Sequence, residues 1–278
     1  MINSATTLPE PHAPSNWPWV EIGRLRRLQR QRYELPIRDL HPKLAGLRIL
    51  HLSDIHIGRT WMPAWDGLLA WVQRDPPDVI CITGDLVDNK FDHRPAIPLL
   101  EKFAAGLRSR LGVYVILGNH DTELLPLRAP NLPWRLLCNE SVQLRDEDVV
   151  LELIGLHGVH PQDVSSDVLE RLLPIRSTID GESRVRIVLS HYPAHALPLA
   201  RSGADIVLAG HTHGGQVCLP GGVPIITHDY LPRRFARGAH RIGETWLITS
   251  RGCGFSKLPI RVFCPAETIE IVLTKMNA

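Results

Sequence analysis

The chain has 278 residues, is 44% hydrophobic and carries a formal net charge of +2. This length suits one large α/β domain with small additions, and the near-neutral charge favours no nucleic-acid partner. The five cysteines are scattered and show no CxxC spacing, which argues against a disulfide framework. The sequence has no run of 18 apolar residues and no secretory signal, which argues against a membrane span and against export. Together these features favour a cytoplasmic location.

Two N-terminal segments precede the first predicted strand of the domain. Residues 1–18 contain four prolines and no periodicity, which predicts a flexible tail. In the basic arm that follows, Trp17 and Trp19 precede five arginines. Tryptophan beside basic residues is typical of peripheral contact with an anionic membrane, and a solvated arm packed on its own domain is the alternative. We therefore divide the chain into a tail and basic arm, residues 1–44, and a domain, residues 45–278.

The first two apolar strands of this domain end in candidate metal ligands. A strand predicted at Leu47–Ser53 is followed by Asp54 and His56, which share one face because side chains alternate along a strand. A carboxylate oxygen and an imidazole nitrogen at this spacing suit a manganese, iron or zinc site. A second strand, at Asp78–Thr83, is apolar on both faces and ends in Asp85.

A third apolar strand, Gly112–Leu117, ends in Asn119, a neutral oxygen ligand, and in His120, which offers an acid or a positive charge. Upstream, Asp88 is a ligand, an acceptor for a ligand, or a capping or turn aspartate. Helices are predicted after the first two strands, at residues 63–74 and 96–107.

Two later strands end in histidines. Residues 186–190 precede His191, and residues 205–209 precede the loop that holds His211 and His213. Neutral imidazole is a common metal ligand, and ligands bind beyond the carboxyl ends of strands in α/β sheets. His157 and His160, in the loop between these regions, contact substrate or are ordinary loop residues.

The remaining elements are a strand pair at residues 142–144 and 149–155 and a helix at residues 163–173. After Gln216, three strands joined by short turns are predicted to be antiparallel, at residues 245–249, 260–263 and 268–273. In the same region, Arg233, Arg234 and Arg237 either hold a phosphate or diphosphate bidentately or form a solvated basic turn.

Seven oxygen and nitrogen donors thus follow apolar strands, whose ends we expect to meet at one edge of a sheet: Asp54, His56, Asp85, Asn119, His191, His211 and His213. Seven donors are too many for one ion but suit two ions that share a carboxylate. Sites with two metals activate a water and hold the oxygens of an in-line phosphoryl displacement.

These motifs resemble those of the calcineurin-like metallophosphoesterase family, D-x-H, G-D-x-x-D, G-N-H-[DE], H and G-H-x-H, in order between residues 47 and 216. The C-terminal part is similar to the subgroup that contains the YkuE and YaeI phosphodiesterases and a UDP-diacylglucosamine hydrolase. The resemblance implies an α/β fold, a four-layer αββα sandwich of two mixed β-sheets flanked by helices.

The resemblance also implies two divalent metal ions that share Asp85. One is held by Asp54, His56, Asp85 and His213, and the other by Asp85, Asn119, His191 and His211. A donor set without thiolate favours Mn²⁺ or Fe over a structural Zn.

We expect His120 as an imidazolium to protonate the leaving oxygen or to stabilise transition-state charge, with a structural loop histidine as the alternative, and Asp121 to orient it by accepting its other N–H. The expected substrate is a phosphodiester or diphosphate, nucleotide-linked or phospholipid-like. The alternatives are a phosphomonoesterase or phosphoprotein phosphatase, and a metal-binding scaffold without catalysis.

Overall fold

The computed structural model describes residues 7–8, 18–146, 149–160, 162, 164–174 and 183–276. Most of the predicted flexible tail lies outside these residues. Trp17 and Asp163, the residue at which the predicted helix began, also lie outside them. Trp19 is described and its side chain is exposed.

The strands of the described residues are, in chain order, β1 (Val20–Ile22), β2 (Gln29–Ile37), β3 (Arg48–Leu52), β4 (Val79–Thr83), β5 (Val113–Ile116), β6 (Arg135–Leu136), β7 (Glu140–Asp146), β8 (Val149–Gly155), β9 (Ser183–Leu189), β10 (Ile206–Ala209), β11 (Cys218–Leu219), β12 (Val223–Pro224), β13 (Gly238–Ile242), β14 (Thr245–Thr249), β15 (Ile260–Val262) and β16 (Glu267–Lys275). The α-helices are α1 (Pro63–Arg74), α2 (Ile97–Gly106), α3 (Leu125–Arg128), α4 (Ser166–Leu172) and α5 (Ala196–Arg201). Of the helices described here, none is long and apolar enough to cross a membrane.

Twelve of these strands form two mixed sheets. Sheet I has the order β2-β16-β3-β4-β5-β6 and is parallel except where β16 meets β3. Sheet II has the order β13-β14-β10-β9-β8-β7, with four parallel strands in the middle and an antiparallel strand at each edge. The pairs β1-β15 and β11-β12 lie outside both sheets.

The main core lies between the two sheets. Ile49 and Cys81 of sheet I and Ile187 and Leu208 of sheet II are fully buried there. Because successive side chains of a strand point to opposite faces, the alternate residues of the same strands face outward. Continuous apolar strands such as β4 and β10 are therefore covered on both faces.

Helices cover the two outer faces. On sheet I, Leu50 packs with Trp65 of α1 and Phe103 of α2. On sheet II, Val188 packs with Leu199 of α5. The layers follow the order helix, sheet, sheet, helix, which confirms the αββα sandwich that the sequence resemblance implied.

Two features of the sheets differ from the sequence-based expectation. The strands β14, β15 and β16 do not pair with one another as their short connections suggested. β14 pairs with the preceding strand β13 and with β10, β15 pairs with β1, and β16 lies between β2 and β3. The second feature is β2, which lies within the predicted basic arm and pairs with β16 over nine residues. Its alternate side chains are buried, so this half of the arm is an edge strand of sheet I.

Candidate metal centre

The predicted ligands lie where the carboxyl ends of both sheets meet. Sheet I supplies Asp54 after β3, Asp85 after β4 and Asn119 after β5, and sheet II supplies His191 after β9 and His211 after β10. We expected the candidate ligands to meet at one edge of a single sheet, but they lie where the strand ends of two sheets meet. The backbone N–H of His211 crosses between them and donates to Asp54 Oδ1 and Oδ2 at 3.0 and 3.1 Å.

Five of the candidate ligands have left-handed backbone conformations: Asp54 (φ 48°), His56 (φ 48°), Asp85 (φ 52°), His211 (φ 67°) and His213 (φ 51°). This region is sparsely populated by residues other than glycine, although aspartate and histidine enter it more readily than most. Each such residue costs about 1–3 kcal/mol, and such conformations cluster at functional sites. The sharp turns bring the side chains back toward a common centre.

Glycines beside the ligands make room for close approach. A Cβ on Gly118 would lie 2.4 Å from Asp85 Oδ1, and a Cβ on Gly210 would lie 2.4 Å from Asp54 Oδ2. These distances are shorter than any real contact of a Cβ atom allows. The glycines that precede Asn119 and His211 are thus required by the packing of the carboxylates.

Four donors form one group at the centre. Asp54, His56, Asp85 and His213 are buried, and one ligand atom of each lies within 4.8 Å of the others. The Nε2 atoms of His56 and His213 are 3.0 Å apart, and Asp85 Oδ2 lies 3.4 Å from His56 Nε2. Asp54 Oδ1 lies 3.5 Å from His213 Nε2. These four residues are those that the resemblance assigned to one metal.

A second group adjoins the first through Asp85. Asn119 Oδ1 lies 3.0 Å from His191 Nε2 and 3.0 Å from His211 Nδ1. The other oxygen of Asp85, Oδ1, lies 3.6 Å from His191 Nε2. One carboxylate oxygen of Asp85 therefore faces each group, which is the geometry of a shared ligand.

Two histidines are oriented by acceptors outside the centre. His191 Nδ1 lies 2.8 Å from the carbonyl oxygen of Thr83, and His211 Nε2 lies 3.2 Å from that of His228. A carbonyl oxygen only accepts, so these nitrogens carry the protons and the opposite ring nitrogens face the centre unprotonated. Asp88 lies near His56, with Oδ1 3.5 Å from Nδ1, but this contact is an ion pair and not a hydrogen bond.

The electrostatics of the centre fit a bound cation. Asp54 and Asp85 are buried, and within the described part of the chain neither pairs with a lysine or arginine. Burial raises the pKa of Asp54. Burial lowers the pKa of His56, but the neighbouring carboxylates of Asp85 and Asp88 outweigh this and raise it to about 10. The carboxylates thus attract positive charge, and a donor set of oxygen and nitrogen without thiolate suits a divalent metal.

His120 lies beside the first group and lines the adjoining cavity. Its ring meets that of His56 edge to face at a centroid distance of 4.7 Å. Its Nδ1 donates to the carbonyl oxygen of Asp88 at 2.5 Å, and its backbone N–H donates to Asp85 Oδ1 at 2.8 Å. His120 is therefore held in place with Nε2 left for another partner.

The predicted role of Asp121 is wrong. Asp121 does not accept from His120, because its buried carboxylate takes three backbone N–H groups, those of Leu86, Val87 and Gly118, at 2.7, 3.1 and 2.8 Å. These bonds tie the loop after β4 to the loop after β5. Asp121 thus positions the loops that carry the ligands, and the carbonyl of Asp88 orients His120 instead.

A cavity of about 480 Å³ opens beside the centre. Its inner side includes Asp85, Asn119 and His120, and its outer side is largely apolar. The predicted arginines do not line it. Arg234 lies over the ring of the next residue, with its guanidinium carbon 4.7 Å from the centroid, and Arg237 donates to the carbonyl of Gly221 at 3.3 Å.

The sequence reasoning missed the residues that do line the outer part of this cavity. They are Ile225, Ile226 and Leu258, which are all exposed, together with Lys257. The apolar residues of these loops were the feature of the sequence that could have indicated this part of the cavity wall. His160 lines a smaller cavity of about 340 Å³ on the other side of Asn119 and His211.

Comparisons with known proteins agree with this geometry. The model of the family described as calcineurin-like phosphoesterase matches residues 47–215. The chain is 33% identical over 239 residues to a Campylobacter jejuni protein named an uncharacterized metallophosphoesterase, covering 82% of this chain and 59% of that protein. It is 31% identical over 262 residues to a Bos taurus protein named a transmembrane protein with metallophosphoesterase domain, covering 86% of this chain and 56% of that protein.

Two further similarities concern YkuE and a solved structure. The chain is 28% identical over 247 residues to YkuE of Bacillus subtilis, named an uncharacterized metallophosphoesterase, covering 84% of this chain and 80% of that protein. The structure of the NAD nucleotidase of Haemophilus influenzae superposes with a TM-score of 0.51 at 13% identity, over 75% of this chain and 45% of that one. At this identity the superposition supports the fold alone.

Proposed function

This chain belongs to the family of calcineurin-like phosphoesterases, and on that premise we propose that it hydrolyses a phosphodiester or diphosphate bond at a dinuclear metal centre. The observation that carries the proposal is the arrangement of Asp85. Its Oδ2 faces His56 Nε2 at 3.4 Å and its Oδ1 faces His191 Nε2 at 3.6 Å, so two donor groups share one carboxylate.

The proposed cofactors are two divalent metal ions, with Mn²⁺ or Fe favoured over Zn because the donors include carboxylate and amide oxygens and no thiolate. The ligand sets are Asp54, His56, Asp85 and His213 for one ion, and Asp85, Asn119, His191 and His211 for the other. Two bound ions supply an activated water and positive charge near the phosphoryl oxygens.

The proposed acid is His120. Its Nδ1 is engaged by the carbonyl of Asp88, so in the imidazolium form its Nε2–H is the group that can protonate a leaving oxygen in the cavity. Asp85 accepts the backbone N–H of His120, and this hydrogen bond fixes the position of the proposed acid relative to the proposed ligands.

The preference for a diester or diphosphate, nucleotide-linked or phospholipid-like, is supported by the shape and lining of the cavity. A volume of about 480 Å³ admits a second substituent on phosphorus, and its outer wall has Ile225, Ile226 and Leu258 beside Lys257. An apolar group and a second negative charge would both find partners there. We also propose a cytoplasmic location, supported by five cysteines that are all free.

The test is a comparison of kcat/KM on one preparation loaded with Mn²⁺. The substrates are an aryl phosphodiester, a glycerophosphodiester, UDP-diacylglucosamine, a cyclic nucleotide and an aryl phosphomonoester, and the Asp85→Asn variant is the inactive control. We expect the diesters or the diphosphate to lead. A clear preference for the monoester would favour a phosphomonoesterase or phosphoprotein phosphatase, and no turnover with Mn²⁺, Fe²⁺ or Zn²⁺ would favour a scaffold.

A further inference from the structure

We propose that an apolar rim beside the catalytic cavity docks on an anionic phospholipid bilayer. The rim consists of exposed apolar side chains from three segments that are distant in sequence: Trp19, Val20, Ile22, Ile225, Ile226 and Leu258. The proposal deepens the proposed function, because it rests on a substrate that reaches the cavity from a lipid surface.

The first observation is the inverted burial of β1. Val20 and Ile22 are 47% and 69% exposed, whereas Glu21 between them is buried. These two residues pair with Val262 and Ile260 of β15, so all four side chains lie on one face of the two-stranded ribbon. A water-facing ribbon would carry its polar residues on that face. Exposed contiguous apolar surface of this kind marks an interaction site.

The second observation is that the ribbon continues into the wall of the cavity. The N–H of Gly23 donates to the carbonyl of Pro259 at 2.7 Å, which places the end of β1 beside Leu258. Leu258 is 65% exposed and also lines the cavity. At the other end of the ribbon, Val262 bridges to Val217, another residue of the cavity wall.

Exposed apolar side chains also line the far side of the cavity opening. Ile225 and Ile226 are 43% and 59% exposed, and both line the cavity. A lipid surface that covers the rim would therefore also cover the entrance to the centre.

The third observation is the charge around the rim. Arg24, Arg26 and Arg27 lie within five residues of Ile22, and Lys257 precedes Leu258. All four side chains are exposed. Between residues 18 and 33 the single acid is the buried Glu21, and residues 217–228 and 256–263 contain no acid. An apolar surface ringed by cations matches a bilayer with anionic headgroups.

This charge also decides between a bilayer and a second copy of the chain. In a twofold dimer the same patch meets itself, so the arginines beside Ile22 in both copies would be brought into one interface. Like charges at close range oppose such a contact. Trp19, whose ring lies 5.9 Å from that of Phe263 and is 73% exposed, suits the boundary between headgroups and acyl chains.

The experiment is co-sedimentation of the full chain with vesicles of phosphatidylcholine alone or mixed with phosphatidylglycerol. We expect binding to the anionic vesicles that weakens with salt, and little binding to the zwitterionic ones. Ile22→Glu should lower the partition by roughly tenfold or more, as should the double variant Arg24→Glu, Arg26→Glu. Leu127→Glu, at a 77% exposed leucine of α3, introduces the same charge elsewhere and should bind as wild type.

Several results would overturn the docking. They are equal binding to both vesicle types, no binding to either, an equal effect of Ile22→Glu and Leu127→Glu, or a dimer in sedimentation velocity that Ile22→Glu dissociates. Turnover of a soluble aryl phosphodiester should be the same in Ile22→Glu as in wild type, which reports a folded enzyme. Vesicle binding without any turnover would contradict the proposed function while leaving the docking intact.

Discussion

The Nε2 atoms of His56 and His213 lie 3.0 Å apart, although the residues are 157 positions apart in sequence. Without a metal, two imidazole nitrogens can be this close only if one carries a proton that the other accepts. The carboxylates of Asp54 and Asp85 stand on either side of this pair and favour positive charge between them. A divalent cation at this position would satisfy all four residues at once.

Removal of metal is therefore expected to lower the thermal stability of the protein. Without a cation, buried Asp54 and Asp85 lose their counter-charge. At 100 times the Kd a ligand contributes about 2.7 kcal/mol, which corresponds to roughly 5–10 °C in Tm for a chain of this size. Calorimetry with EDTA, followed by Mn²⁺ in excess, measures the loss and its recovery. An unchanged Tm would contradict a metal at this centre.

Asp85→Asn should reduce the content of both metals, because one oxygen of Asp85 faces each donor group. We expect a loss of affinity greater than the roughly 10- to 100-fold that follows removal of an outer acceptor. Elemental analysis of the purified protein measures this. Asp167→Asn, at an exposed aspartate of α4, is the matched control and should keep full occupancy. Loss of one metal alone would reject the shared role.

His120→Asn should lower kcat by roughly 10²- to 10⁴-fold while the metals stay bound. The side chain is held by the carbonyl of Asp88 and lies outside the two proposed ligand sets, although its ring also forms a group of potential metal donors with His56 and Asp88. The decisive comparison uses a substrate whose leaving group needs no proton, such as a nitrophenolate ester, on which the variant should lose much less. An equal loss on both substrates would point to a structural role.

Lys257→Ala should raise KM for a diester or diphosphate with a smaller effect on kcat, because Lys257 lines the outer part of the cavity. Arg233→Ala is the control, since Arg233 is exposed and does not line this cavity. Steady-state kinetics on the preferred substrate separates the two. A larger effect of Arg233→Ala would restore the arginines as the phosphate-binding residues.

His51 is expected to make stability fall with acid. It is fully buried in β3 with Nε2 2.9 Å from Thr83 Oγ1, and burial lowers its pKa to about 3. Unfolding returns the pKa to about 6.5, so the unfolded chain binds the extra proton between these values. Relative to His51→Leu, wild type should lose about 1.5 kcal/mol between pH 6.5 and pH 5. Urea unfolding at each pH measures this, and parallel curves would show that His51 does not titrate.

The positions of the candidate ligands could be predicted from the sequence because each lies within a few residues of the end of a strand. The spacing of Asp54 and His56, or of His211 and His213, is a local property of the chain. The distribution of the strands over two sheets is not local, and the apolar segments of β4 in sheet I and β10 in sheet II look alike in sequence. The two sheets were therefore an inference from resemblance and not from the residues.

The errors fall on side chains whose partners are distant. Asp121 follows His120 directly, which suggested a contact, but the carboxylate turns to the N–H groups of Leu86 and Val87, some 35 positions upstream. Arg234 and Arg237 were chosen for charge alone, and their loop packs away from the cavity. Composition could not reveal that β15 would bring Leu258 to the opening.

The strand order of sheet I has a consequence for the order of folding. β16 lies between β2 and β3, so the strand that leads to Asp54 gains its second neighbour only from residues 267–275. During synthesis the ligands of β3, β4 and β5 leave the ribosome well before that neighbour exists. Contacts between such distant parts of a chain form slowly. The candidate metal centre is therefore among the last parts of the nascent protein to form. Until the C-terminal segment is synthesised, one edge of β3 stays unpaired.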